Sequence, residues 1–169
     1  MFKVIGIVMI LVSCGIFTFS KVSVLTKKYE NLKEIKKAIV CLKHELCFSV
    51  PEISVLCKVM AEKTKGEVSD VLHSAALRLE EDKTLDFETA WNDEKKNKEL
   101  FSAETEKIVS TLFKDLGKMN LDIELDNIGI AEKRLEATEI EEREKYKKDK
   151  RLILTLGAAL GALILIVVI

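Results

Sequence analysis

The side chains best suited to chemistry in this sequence stand close together: Cys41, His44 and Cys47 at spacings of three, with Cys57 ten residues further on. Thiolate and imidazole are the ligands of tetrahedral zinc. On a helix, however, 41 and 44 are neighbours and so are 44 and 47, whereas 41 and 47 point about 240° apart. Three ligands on one rigid helix converge poorly on a single ion. The spacing reads instead as small apolar thiols beside a Leu42/Leu46 seam, and no metal or other cofactor is expected. His73, just off a Leu72/Ala76 stripe, reads as a surface or half-buried histidine. No phosphate-cradling glycine loop, metalloprotease His-Glu signature or nucleophile elbow occurs. Pairs such as Glu30–Glu34 and Lys33–Lys37 suit a solvated helix face better than acid–base machinery, and Trp91 suits a core. The sequence therefore reads as non-enzymatic.

The elements that carry these residues are helical. There is one proline and there are few glycines among abundant Lys, Glu, Leu and Ala, and no strand pattern of any strength occurs. Leu32, Ile35, Ile39, Leu42 and Leu46 repeat at alternating three and four spacing, which predicts a first helix with charge on its opposite face. Ser49-Val50-Pro51-Glu52 predicts a helix start, with Ser49 as N-cap, Pro51 in the first turn and Glu52 completing a capping box. That helix buries Ile53, Leu56, Cys57 and Met60 and ends near Gly66. Val68, Leu72, Ala75, Ala76 and Leu79 mark a third helix, and Asp82-Lys83-Thr84 a connection. Leu85, Phe87, Ala90 and Trp91 form a smaller apolar group. Asn92 to Glu99 reads as an exposed loop or frayed helix end. Ile108, Leu112, Phe113 and Leu116 precede a stop at Gly117, and Leu121, Leu125, Ile128 and Leu135 open a last helix, with Gly129 against its being uninterrupted. The expected core is thus Leu32, Ile39, Leu42, Leu46, Leu56, Leu72, Trp91, Leu112 and Leu116.

Both ends of the sequence are apolar. Leu152 to Ile169 is eighteen residues without a charge, about 27 Å as a helix and long enough to cross the hydrocarbon core of a bilayer. It follows the basic block Lys145 to Arg151. Between Lys3 and Lys21 a second uncharged run occurs, which with a snorkelling Lys21 extends through Leu25. Leu11-Val12-Ser13-Cys14 resembles a lipoprotein cleavage box, but apolar residues continue past Cys14 and only Lys3 precedes it, so a retained span is expected. Lys27, Lys28 and Lys145 to Arg151 flank the two runs, and basic flanks stay cytoplasmic. The expected organisation is a membrane helix over 1–25, a cytoplasmic helical bundle over 26–137, a charged helical stalk over 138–151 and a second membrane helix over 152–169. Both termini then lie on the far side of the cell membrane. Gly157 and Gly161, with Ala158 and Ala162, put small residues on one face of the second span, where another helix, the first span included, can approach closely; glycine is also common in membrane helices by chance. Cys14, Cys41, Cys47 and Cys57 fit free thiols in a reducing compartment. A net charge of −1 with interleaved signs gives no case for nucleic acid.

Several short motifs in order carry a resemblance: Leu42-Lys43-His44-Glu45-Leu46 followed by Pro51, then Ala90-Trp91, Leu112-Phe113-Lys114-Asp115-Leu116-Gly117, Leu135-Glu136, and Leu156-Gly157 with Gly161. Together with the two apolar ends they make the chain resemble the stage III sporulation protein AB family. The resemblance implies an all-α bundle of about six helices between the two spans, similar to the cytoplasmic domain of the type II secretion platform protein F. It implies a membrane platform in a channel complex joining mother cell and forespore, set in the mother-cell membrane facing the forespore. Its partners would be other channel components, a cytoplasmic secretion-type ATPase, the lipid bilayer and further copies of itself. It carries over no catalytic residue. Two other readings stay open: a membrane-tethered coiled-coil regulator and a lipoprotein processed at Cys14.

Overall fold

A chain so rich in strong helix formers, with its one proline at position 51, has little to interrupt a helix. The computed structural model describes the backbone of residues 2–96 and 98–168 and the side chains of residues 19–96, 98–159 and 162. Among them are six helices and no strand: α1 (Phe2–Phe48), α2 (Ile53–Lys63), α3 (Gly66–Glu81), α4 (Phe87–Lys95), α5 (Ala103–Asp115) and α6 (Leu121–Val168). The six include the apolar ends, which belong to α1 and α6 instead of forming helices outside a six-helix bundle. Gly129 lies within α6, where a Cβ would meet nothing, so helix propensity outweighs its flexibility there. The spans expected over 1–25 and 152–169 lie largely outside the residues whose side chains are described, as do Cys14 and Gly161. Among the described residues no helix is long and apolar enough to cross a membrane.

The chain divides into two compact units, residues 28–141 and residues 1–27 with 142–169. In the second of these Thr26 and Tyr146 meet through their hydroxyls at 3.2 Å, and Lys150 lies over the Tyr146 ring, 5.5 Å from its centroid.

Unit 28–141 has one continuous apolar core. From α1 come Leu32, Ile35, Ala38, Ile39, Leu42 and Leu46, all buried; from α6 come Ile128, Ala131 and Leu135. The three-and-four spacing on both helices makes each a stripe that only another stripe can cover. The short helices pack in sequence, α2 on α3, α3 on α4 and α4 on α5. Leu56, Leu72, Leu112 and Leu116 are buried between them, and Leu121 and Leu125 are half-buried against the same core. Trp91 is the centre of an aromatic cluster. It meets Phe113 edge-on at 5.1 Å and stacks on Phe101 at 6.5 Å, while Phe87 meets Phe113 at 4.6 Å. Its indole N–H is buried without a hydrogen-bond partner, a cost that the area buried by the ring outweighs.

The helix boundaries correct two expectations. Ser49 is not the cap of α2: the helix starts at Ile53, Glu52 is its N-cap without a side-chain bond, and Pro51 precedes the helix. The Glu52 carbonyl instead accepts from the amides of Val55 and Leu56 at 3.0 and 3.1 Å. Proline's demand for an extended preceding residue ends α1 early enough that the capping box never forms. Gly66 does not end α2 but opens α3 with a φ of +65°. The end of α2 is closed by buried Thr64, whose hydroxyl donates to the carbonyls of Met60 (2.9 Å) and Ala61 (3.3 Å). Two caps carry the starts of α4 and α5: Asp86 accepts from the Thr89 amide at 3.0 Å and Ser102 from the Thr105 amide at 3.3 Å. Gly117 does stop α5, at a φ of +78°; a Cβ there would collide with the Ile53 side chain.

Hydrogen bonds from Thr89 and Lys118 hold the Asp86 carboxyl down at about 2. An unfolded aspartate titrates near 3.9, so the stability this cap contributes is full above about pH 4 and is lost as pH falls toward 2. Asn caps as well as Asp but does not titrate. Asp86→Asn is therefore expected to flatten the acid limb of stability between pH 4 and 2. The check is a denaturation series followed by the fluorescence of Trp91, the chain's sole tryptophan. Equal acid losses in parent and variant would show that the cap is not the titrating element.

Candidate interaction surface

The residues with the best chemical credentials do not converge. Cys57 is buried in the core, and burial pushes its thiol up to about 12. Cys41 is half-buried, its thiol raised by burial first and then by the charge of Glu45. Cys47 and His44 are exposed, and the His44 ring packs on Phe48 with centroids 4.6 Å apart. A raised thiol holds its proton at neutral pH, and the thiolate is the nucleophile and ligand. Among the described residues no group of three or more His, Cys, Asp or Glu side chains is placed to hold a metal ion. His73 is exposed.

What α1 offers is a surface. Its outward side forms the wall of an open groove of about 730 Å³, floored by Val40 and Cys41 and rimmed by Lys33, Lys36, Lys37 and, from the end of α2, Lys63. Lys37 bonds Glu34 at 2.6 Å and Lys33 bonds Glu30 at 3.3 Å, each one turn away on the same helix. Lys36 reaches across to Glu139 of α6 at 2.8 Å, and Lys43, two turns further, reaches Glu132 at 2.8 Å. The hydrogen bond to Glu139 raises the Lys36 ammonium's pKa against the desolvation of burial. The bond to Glu132 and that carboxylate's charge do the same for Lys43. These crossings run in opposite directions along the two helices, so α1 and α6 are antiparallel in unit 28–141. The chain consequently enters at Lys28 and leaves at Glu141 from the same end of the bundle.

Among the described residues the geometry shows no activated nucleophile and no converging acid–base pair. The sequence model of the family described as stage III sporulation protein AB matches residues 3–169. The chain belongs to that family. No curated protein matches the chain. A solved structure, "Stage III sporulation protein AB (SpoIIIAB)", shares the fold with a TM-score of 0.63 at 16% identity, over 72% of this chain and 97% of that one. In this member of the family the small-residue face is only partly in view: Gly157 is half-buried, Ala158 and Ala162 are exposed, and Gly161 lies outside the described side chains.

Sequence reasoning missed Leu100 and Phe101, both buried. They follow the polar run 92–99 without periodic company, and they anchor the α4–α5 connection to the core. Asn92 to Lys95 belong to α4. The buried Asn31, whose amide donates to the Leu100 carbonyl at 3.1 Å, was equally silent.

The burial order predicts a labelling order. A maleimide should modify Cys47 first, Cys41 more slowly, and Cys57 only on unfolding. Rapid modification of Cys57 in the folded chain, read by mass spectrometry of its peptide, would contradict the core placement.

Proposed function

We propose that this chain is a non-enzymatic membrane platform of a sporulation channel complex between mother cell and forespore, whose helical unit docks a cytoplasmic secretion-type ATPase. Family membership supports the sporulation setting. The observation that carries the platform reading is the antiparallel α1–α6 register, which brings entry and exit of unit 28–141 to one end. α1 and α6 also carry the two apolar runs of the sequence, which suit one bilayer entered from one side. Basic flanks at Lys27, Lys28 and Lys145 to Arg151 make that side cytoplasmic. A bundle with charged faces and no catalytic cluster among its described residues acts by holding something. The Gly157/Gly161 face gives a second membrane helix close access.

Two measurements test this. In intact cells an impermeant maleimide should leave Cys47 unmodified, and permeabilisation should expose it; labelling from outside would invert the topology and remove the ATPase from reach. The full chain in detergent, where several weak sites act together, should retain the cognate ATPase on an affinity resin or change its hydrolysis rate. Neither effect at modest salt would end the platform reading. Gly157→Leu with Gly161→Leu should weaken co-purification of membrane partners while leaving insertion intact, and unchanged co-purification would assign the glycines to chance.

A further inference from the structure

The α4–α5 connection is tied down where α1 enters unit 28–141. Lys28 donates to the Glu99 carboxylate at 2.7 Å, and Asn31 donates to the carbonyl of Leu100, whose side chain is fully buried. The bond from Lys28 holds the Glu99 carboxyl below the usual carboxylate range, so these two charges cancel. Lys95 is likewise matched by Glu106 of α5. That leaves Lys96 and Lys98, both exposed and in no ion pair among the described residues. They line an open cleft of about 400 Å³ with Asn92, Lys95 and Glu99.

The position of this patch follows from chain length. Leu25 closes the first apolar run, and the three residues from there to Lys28 cannot reach further than about 11 Å. The headgroup layer adds roughly 5–8 Å beyond the hydrocarbon, and the surface potential of anionic lipid persists for a Debye length of about 8 Å. Glu99 touches Lys28, and Lys98 is its chain neighbour. We infer that the α4–α5 connection rests on an anionic bilayer surface through Lys96 and Lys98. This rests on the membrane-held arrangement proposed for α1 and α6. An acidic protein has no reason to find these two lysines at the chain's entry point, whereas the bilayer is already within reach. The contact adds an off-axis foot to the two anchored helices and so fixes which side of the bundle faces the cytoplasm for partners.

Trp91, which stacks on Phe101 at the end of this connection, is a built-in reporter. The full chain is reconstituted in phosphatidylcholine vesicles containing phosphatidylglycerol, with a trace of dansyl label on one lipid or the other. Energy transfer from Trp91 should be greater to labelled phosphatidylglycerol than to labelled phosphatidylcholine. Each exposed lysine should contribute about a fivefold preference. Lys96→Gln with Lys98→Gln should lose that share while keeping the preference due to Lys145 to Arg151. Lys96→Arg with Lys98→Arg should keep it all. Equal preference in the parent and the glutamine variant, in chains that resist carbonate extraction, would overturn the patch and leave the membrane reading intact. A chain extracted by carbonate would overturn the membrane reading itself. If the glutamine pair loses its helical spectrum, the single variants answer the same question with half the effect.

Discussion

Unit 28–141 depends on one pairing, the antiparallel apposition of α1 and α6. Burial drives it: each fully buried leucine or isoleucine on the two stripes contributes about 1.5–3 kcal/mol over an exposed one, and Leu32, Ile35, Ile39, Leu42, Ile128 and Leu135 are all fully buried. Burial alone does not choose a register, because two heptad-like stripes cover one another nearly as well after a slip of one turn. The crossings Lys36–Glu139 and Lys43–Glu132 supply the choice. Sliding α6 four residues in one direction sets Lys36 opposite Arg143, while Lys43 then faces Glu136; sliding it the other way sets Lys36 and Lys43 opposite Leu135 and Ile128, which belong in the core. Partly exposed ion pairs add little to stability, and here their weight lies in making the wrong registers worse.

The four short helices complete a core that two long helices cannot close. Their turns are built to be buried without orphaned backbone groups. Thr64 and Ser69 donate to carbonyls at the end of α2, and a carboxylate of α1, Glu34, accepts from the Lys65 amide at 3.0 Å. At the α5–α6 turn the buried Glu124 accepts from the Gly117 amide at 2.5 Å. Gly117 thus does two jobs at once: its positive φ turns the chain, and its missing Cβ leaves room for Ile53 of α2. The packing of α2 is therefore coupled to the start of α6.

What was legible in the sequence is what periodicity encodes. The stripe Leu32 to Leu46, the Val68 to Leu79 face and the stop at Gly117 follow from spacing and from a residue whose backbone freedom the turn requires. What was not legible depends on partners distant in sequence. Leu100 and Phe101 have no period, and only Asn31 and Trp91 explain their burial. Ser49 matches a capping pattern, but Pro51 takes precedence because it constrains the residue before it. Asp86 and Ser102 are ordinary cap residues hidden in polar surroundings where many positions qualify. The cysteines and His44 invited a chemical reading through composition alone; helix geometry separates them by direction and burial, which spacing already implied.

Cys41, His44, Cys47 and Cys57 stand apart in direction and burial, so the shared feature of unit 28–141 is the pairing of its two long helices. In the proposed platform role the antiparallel direction of α1 and α6 is more than a stabilising feature. It brings the two exits of unit 28–141 to one end of the bundle, with the α1 groove along its side. Burial of the stripes favours pairing of the two helices, and the crossings of Lys36 and Lys43 favour the register in which they pair. The proposed role depends on the direction of that pairing, which sets both exits at one end whichever turn the ion pairs select.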